Sequence, residues 1–183
     1  MKTLQKSMYV LMLFSAVFLT GCSKDDDSSE EGDGGQSGSD TELFTAKVDG
    51  ADWSADTDLA TLIGGSLVTN NGITVLSAQG STNDGTFINF NIINYDGPGT
   101  YRVADGIDNM NIISYGELNG GNPVSWVANG VIAITGVIEP GEIVITSQND
   151  TKVIGTFSFE GYDGTSETVK NVTQGQFEVV FDN

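Results

Sequence analysis

The sequence predicts an all-β domain, and three observations predict it. Short runs of alternating apolar and polar residues recur from Leu43 onward, the pattern a half-buried strand leaves because successive side chains point to opposite faces. Asp-Gly or Asn-Gly dipeptides separate many of these runs, and both residues tolerate the positive φ that tight hairpin turns require. No apolar stretch with helical period exceeds about two turns in that region. About nine to ten short strands at this spacing fit an antiparallel β-sandwich or a flattened barrel, joined mainly in up-and-down order.

Taken in order, residues 45–48 form the first strand, closed by Asp49-Gly50. Residues 59–63 follow, and Gly64-Gly65 predicts a bulge or sharp bend, as glycine does within strands. Asn71-Gly72 turns the chain into residues 73–78, and Asp84-Gly85 into the next run. There Ile88, Phe90 and Ile92 share one face, with Phe87, Asn89, Asn91 and Ile93 on the other. Asp96-Gly97 precedes a strand at 100–103, and the charges and Gly106 of residues 105–110 predict an irregular loop or one helical turn. Residues 111–115 and 131–135 read as strands, the second entered through Asn129-Gly130. Glu139-Pro140-Gly141-Glu142 reads as a hairpin turn into residues 142–147. The clearest strand is 154–162, with Phe157 and Phe159 on one face and Thr156, Ser158 and Glu160 on the other. After Asp163-Gly164, Phe177, Val179 and Phe181 alternate in the same way. There is no internal repeat of fixed period.

The N-terminal part is of another kind. Lys2 and Lys6 precede an apolar run from Met8 to Leu19. Twelve helical residues cover about 18 Å, short of a hydrocarbon core of roughly 30 Å, so residues 1–21 are expected to be a signal peptide and not a membrane span. Leu19-Thr20-Gly21-Cys22 resembles the bacterial lipoprotein lipobox, which implies cleavage before Cys22 and a diacylglycerol thioether on its sulfur. The membrane is then a partner through that anchor, each acyl chain contributing about 0.8 kcal/mol per buried CH₂. Ser23-Lys24-Asp25-Asp26-Asp27 is similar to the lipoprotein export signal of Bacteroidetes, which implies the outer face of the outer membrane. Residues 28–41 contain only Ser, Glu, Gly, Asp, Gln and Thr, too little apolar surface to offset ordering entropy. Residues 22–42 are therefore expected to be a disordered acidic linker reaching roughly 25 Å, and 43–183 the domain.

Composition excludes much chemistry. The chain carries 7 basic and 25 acidic residues, a net charge of -18, which repels nucleic acid. Four bases and seventeen acids fall in residues 43–183. There is no histidine, hence no imidazole base, no His-activated nucleophile and no His-ligated metal. The single cysteine, Cys22, permits no intrachain disulfide and is claimed by the lipid. Nucleotide-loop and serine-hydrolase motifs are absent, and no cofactor is expected.

One histidine-free reaction suits a secreted β domain: glycoside hydrolysis by two carboxylates. Glu117, Glu139, Glu142, Glu160 and Glu178 are the candidates, although Glu160 and Glu178 fall on outward faces and Glu139 and Glu142 on a turn. Asp56-Thr57-Asp58 and Asp105-Gly106-Ile107-Asp108-Asn109 are the densest acidic loops for calcium, but neither completes a calcium-loop pattern. For a glycan or small ligand, Trp53, Tyr95, Tyr115 and Trp126 supply flat faces, and Asn89, Asn91, Asn94, Asn109, Asn111, Asn119 and Asn122 supply neutral hydrogen-bonding groups. A barrel interior not filled by its own side chains would suit a small apolar ligand. The expectation is a non-catalytic binding or structural module, with a carbohydrate hydrolase using paired carboxylates as the alternative.

The segments Phe44-Thr45-Ala46-Lys47-Val48-Asp49-Gly50-Ala51-Asp52-Trp53, Gly99-Thr100-Tyr101, Gly141-Glu142-Ile143-Val144-Ile145, Ile154-Gly155-Thr156-Phe157-Ser158-Phe159 and Gln174-Gly175-Gln176-Phe177 resemble a family of Bacteroidetes lipoproteins classed only as a domain of unknown function. The resemblance implies the same β domain and no particular chemistry. Within it, Trp53 reads as an aromatic closing the first hairpin onto the core.

Overall fold

A computed structural model describes residues 42–58 and 62–181. The expected signal peptide, Cys22, Ser23, Lys24, Asp25, Asp26, Asp27 and the expected linker through Thr41 lie outside the described residues, as do residues 59–61 of the strand expected at 59–63.

Eleven strands and one helical turn form among the described residues: β1 (Leu43–Val48), β2 (Ala51–Ser54), β3 (Ile63–Asn70), β4 (Ile73–Ser81), β5 (Phe87–Ile93), β6 (Gly99–Val103), β7 (Ile112–Asn119), β8 (Asn122–Ala128), α1 (Gly130–Ala133), β9 (Gly141–Gln148), β10 (Lys152–Asp163) and β11 (Thr168–Val180). They hydrogen-bond in the order β2-β1-β11-β10-β8-β7-β5-β4-β3, with β9 also on β10 and β6 on β9. The sheet divides at β10, a strand long enough for two partners on one side. Residues 153–158 pair with β9, and Tyr162 pairs with Val127 of β8.

Bulges supply the curl. Thr45 and Lys47 of β1 face Gln176 and Thr173, and Phe157 and Phe159 of β10 face Gly175 and Val172. Both neighbours of β11 thus meet the same extra residue, where Gln174 has φ 53°. An extra residue bends a strand and increases its twist. At the far edge, Gly65 of β3 meets Phe181, just past β11, in a parallel bridge. The result is one antiparallel sheet curled over its own core, with two departures from up-and-down order: β6 leaves the meander to pair with β9, and β1 returns to β11.

The alternation read from sequence sets the core. Phe44, Phe90, Phe157 and Phe177 are all buried and meet with ring centroids 5.1 to 6.4 Å apart. The interior there is filled by its own side chains. Asp49-Gly50 and Asn71-Gly72 form two-residue hairpin turns with positive φ at both positions, as the twist of flanking strands favours.

Four expectations are corrected. Residues 131–135 are not a strand: Asn129 caps α1 by accepting a hydrogen bond from the Ile132 N–H, and Val131 and Ile134 stay exposed. Their apolar pattern has no second sheet to pack against. Gly64-Gly65 makes no bulge, because β3 and β4 pair in unbroken register from Ile63↔Gly80 to Asn70↔Ile73. Glycine is needed at 65 for space, since a Cβ there would lie 2.9 Å from Val179 Cγ1. Asp96-Gly97 does not close a hairpin, because β5 pairs with β4 and β7 while β6 pairs with β9. Glu139 to Glu142 is not a hairpin turn either: Gly141 opens β9 in register with Val103. The loop at 105–110 is irregular. Strands β2 and β8 add to the nine or ten expected; β2 is short and largely exposed, and Pro123 interrupts the pattern of β8.

Candidate functional site

The solvent-facing side of β3, β4 and β5 forms a groove of about 700 Å³. Ser77 and Gln79 on β4, and Asn89 and Asn91 on β5, alternate with buried Leu76, Ala78, Ile88, Phe90 and Ile92, so strand pleat alone turns the polar residues outward. Register then aligns them in two rows. Ser66, Ser77 and Asn91 form one row, and Gly64, Gln79, Asn89 and Ser114 the other.

Hydrogen bonds fix the amides. Ser77 Oγ donates to Asn91 Oδ1 at 2.6 Å, and Ser114 Oγ donates to Asn89 Oδ1 at 2.7 Å. With each carbonyl satisfied, the two NH₂ groups are left as donors toward the groove. In the next row Phe87 lies over Gly116, where a Cβ would fall 2.1 Å from its Cζ. No charged side chain lines the groove, and the 25 residues from Leu59 to Asn83 contain no Asp, Glu, Lys or Arg.

A second, smaller groove of about 370 Å³ lies on β1, β2 and β11, lined by Thr45, Lys47, Asp52, Trp53, Gln174 and Gln176 among others. Here Lys47 pairs with Asp52, so its wall is charged.

The expected ligand groups divide between these surfaces and the core. Asn89 and Asn91 meet in the first groove. Asn94 occupies a turn at φ 58°, Asn109 and Asn111 both donate to the Arg102 carbonyl, and Asn119 and Asn122 face each other beside the β7–β8 turn. Of the aromatics, Tyr95, Tyr115 and Trp126 are buried in the core, and half-buried Trp53 lines the second groove. Trp53 packs edge-on against Phe44 at 6.2 Å and donates to Thr86 Oγ1. Trp126 is buried and donates to Thr168 Oγ1. Tyr95 donates to Gln148, and burial together with the fields of Tyr101 and Asp96 pushes its phenol up to about 12. Burial and a hydrogen bond to Glu117 raise Tyr115 further. Phenols held this far up stay neutral and act as donors.

Glu139, Glu142 and Glu160 come together where β9 begins beside β10, Glu117 and Glu178 lie elsewhere, and neither groove is lined by any of the five. Glu117 accepts from Tyr115, Glu160 accepts the Glu139 N–H at 3.0 Å, and Glu178 holds Lys152 at 2.7 Å. Glu142 stands in the ladder between Arg102 and Ser158. Of the acidic loops, Asp56 accepts the Asn83 N–H at 2.6 Å and Asp58 the Asn83 amide. Sequence reasoning missed the groove as a unit. The signal was present in the uncharged stretch and in the Asn-x-Asn of β5, but only register brings Ser66, Ser77, Gln79 and Asn89 together.

The sequence model of one protein family, described as a domain of unknown function (DUF6252), matches residues 40–180. The chain belongs to the DUF6252 family. No curated protein and no solved structure shows significant similarity to it. The DUF6252 match runs from just before β1 to the end of β11, so both grooves fall wholly within the family domain.

Proposed function

We propose that this DUF6252 chain is a lipoprotein held through Cys22 in the outer membrane, facing the cell exterior by virtue of Ser23 to Asp27, whose β domain is a non-catalytic binding module. One observation carries the module function: the larger groove presents oriented neutral hydrogen-bonding groups, with no carboxylate and no base to activate its serines. Such a surface recognises without activating, since hydrolysis by paired acids needs both within one cleft. The lipobox-like Leu19 to Cys22 and the acidic run after it support the location, and a linker of roughly 25 Å lets the domain stand off the bilayer.

The test is to incubate the full chain with outer-surface polysaccharide and with peptide extracts, reading both retention and turnover. Retention without release of reducing sugar or new amine is expected. Sugar release abolished by replacing a single glutamate would overturn the module in favour of a hydrolase.

A further inference from the structure

We infer that the groove on β3, β4 and β5 is a recognition site for neutral carbohydrate. This rests on the binding-module function above and adds its ligand class. Charge is the first argument. The domain holds seventeen acids against four bases, yet this face draws on the uncharged run 59–83 and on β5, which also lacks any charge. A phosphate or carboxylate ligand finds no cation here and meets the repulsion of the surrounding acids. A cationic ligand finds no anion.

The polar groups suit hydroxyls. Asn89 and Asn91 offer NH₂ donors whose carbonyls are already held by Ser114 and Ser77, so little orientation is lost on binding. Among the described residues nothing bonds the side chains of Ser66 and Gln79, which accept as well as donate. A sugar hydroxyl accepts from the amides and donates to Gln79 or Ser66. The rows repeat at roughly 4.8 Å across strands and roughly 6.8 Å along them, and the groove's about 700 Å³ matches the roughly 300–1,000 Å³ of small-molecule sites. β4 and β5 are hydrogen-bonded on both sides, so an extended peptide could add only along the edge strand β3, where it would not engage Asn89 or Asn91 of β5.

The experiment is calorimetric titration of the full chain with neutral oligosaccharides and with uronic-acid oligosaccharides. Neutral sugars should bind, and acidic ones about tenfold more weakly or worse. Replacing both Asn89→Ala and Asn91→Ala should weaken neutral-sugar binding about tenfold or more, the loss of two net hydrogen bonds. Gln79→Ala, whose side chain bonds nothing among the described residues, should weaken it several-fold with little effect on folding. Gln174→Ala with Gln176→Ala, in the second groove, should leave it unchanged. Equal or better binding of acidic sugars, unaltered affinity in the Gln79→Ala variant, or binding only of peptide or of a second copy would overturn the carbohydrate assignment while leaving a binding module. Failure of any extract to be retained in the preceding experiment would overturn both.

Discussion

Phe177 lies over Gly155, its direct partner across β10 and β11, so closely that a Cβ at 155 would fall 2.5 Å from Phe177 Cζ. The relation is reciprocal two residues on, where Phe157 lies over Gly175 with Cδ2 2.4 Å from the missing Cβ. Two Gly-x-Phe triplets, Gly155-Thr156-Phe157 and Gly175-Gln176-Phe177, run antiparallel so that each ring fills the space the opposite glycine leaves. Gly155→Ala also meets the Val144 carbonyl at 2.2 Å, which is backbone and cannot swing aside. The variant should lose roughly 1–3 kcal/mol, read as a fall in denaturation midpoint. Gly99→Ala, with nothing within 4 Å, should stay within about 0.5 kcal/mol. Equal effects would refute the interlock.

Strand pleat makes a second contrast on β10. Phe159 is buried while Thr156 is exposed. Phe159→Ala should cost about 3–5 kcal/mol through the cavity it leaves, and Thr156→Ala far less. Denaturant titration of both variants checks this, and similar midpoints would contradict the alternation.

These two cases show what was legible. Alternation is local, so Phe157, Phe159, Ile88, Phe90 and Ile92 could be assigned to the core from spacing alone. Turn chemistry is equally local at Asp49-Gly50 and Asn71-Gly72. Pairing is not local. Nothing in the sequence says that Gly155 meets Phe177, that β6 crosses to β9, or that Asn89 lies beside Gln79, because register arises from packing across the sheet. Residues 131–135 are four consecutive apolar residues and a threonine, a short run that periodicity cannot assign to strand or helical turn, and the capping side chain of Asn129 goes with the turn.

That cap gives the third prediction. Asn129 accepts the Ile132 N–H at 2.9 Å, satisfying an otherwise unpaired donor at the start of α1. Asn129→Ala should lower stability by about 1 kcal/mol, while Asn129→Ser should keep most of it. If Ser and Ala are equally harmful, the side-chain bond is not what holds this turn.

The anchor is tested at Cys22. Cys22→Ser should abolish fatty-acid labelling and leave uncleaved precursor or a soluble chain, and labelling that persists would remove the lipoprotein assignment. Replacing Lys24, Asp25, Asp26 and Asp27 with alanine should shield the domain from protease added to intact cells. Unchanged accessibility would mean that this run is linker alone.

A small ionic network offers the last test, because its pH limits can be signed in advance. Lys170 Nζ lies 3.1 Å from Asp49, 3.5 Å from Glu117 and 5.2 Å from the centroid of the Trp126 ring. It thereby joins β11 to the β1–β2 turn, β7 and β8. Burial opposes the charge on Asp49, but the Asn171 N–H and Lys170 together hold its carboxyl below the ordinary value. Burial likewise opposes the charge on Lys170, and Asp49 and Glu117 more than compensate, raising it. The depressed Asp49 contributes stability that is present above the unfolded value of about 3.9 and is lost as pH falls through its lower folded value. The raised Lys170 contributes stability that is complete below about 10.4 and is lost as pH rises through its higher folded value. Lys170→Met keeps the stem and removes the charge. Since Asp49 is about half exposed and screened, the loss near pH 7 should be about 1 kcal/mol, ion pair and cation–π contact together. The difference from the parent chain should be flat from about pH 4 to 10 and shrink on either side. Unfolding followed by tryptophan fluorescence at several pH values reads it, and a difference that persists unchanged at pH 2 would show that the lysine acts through the Trp126 ring or packing and not through the carboxylates.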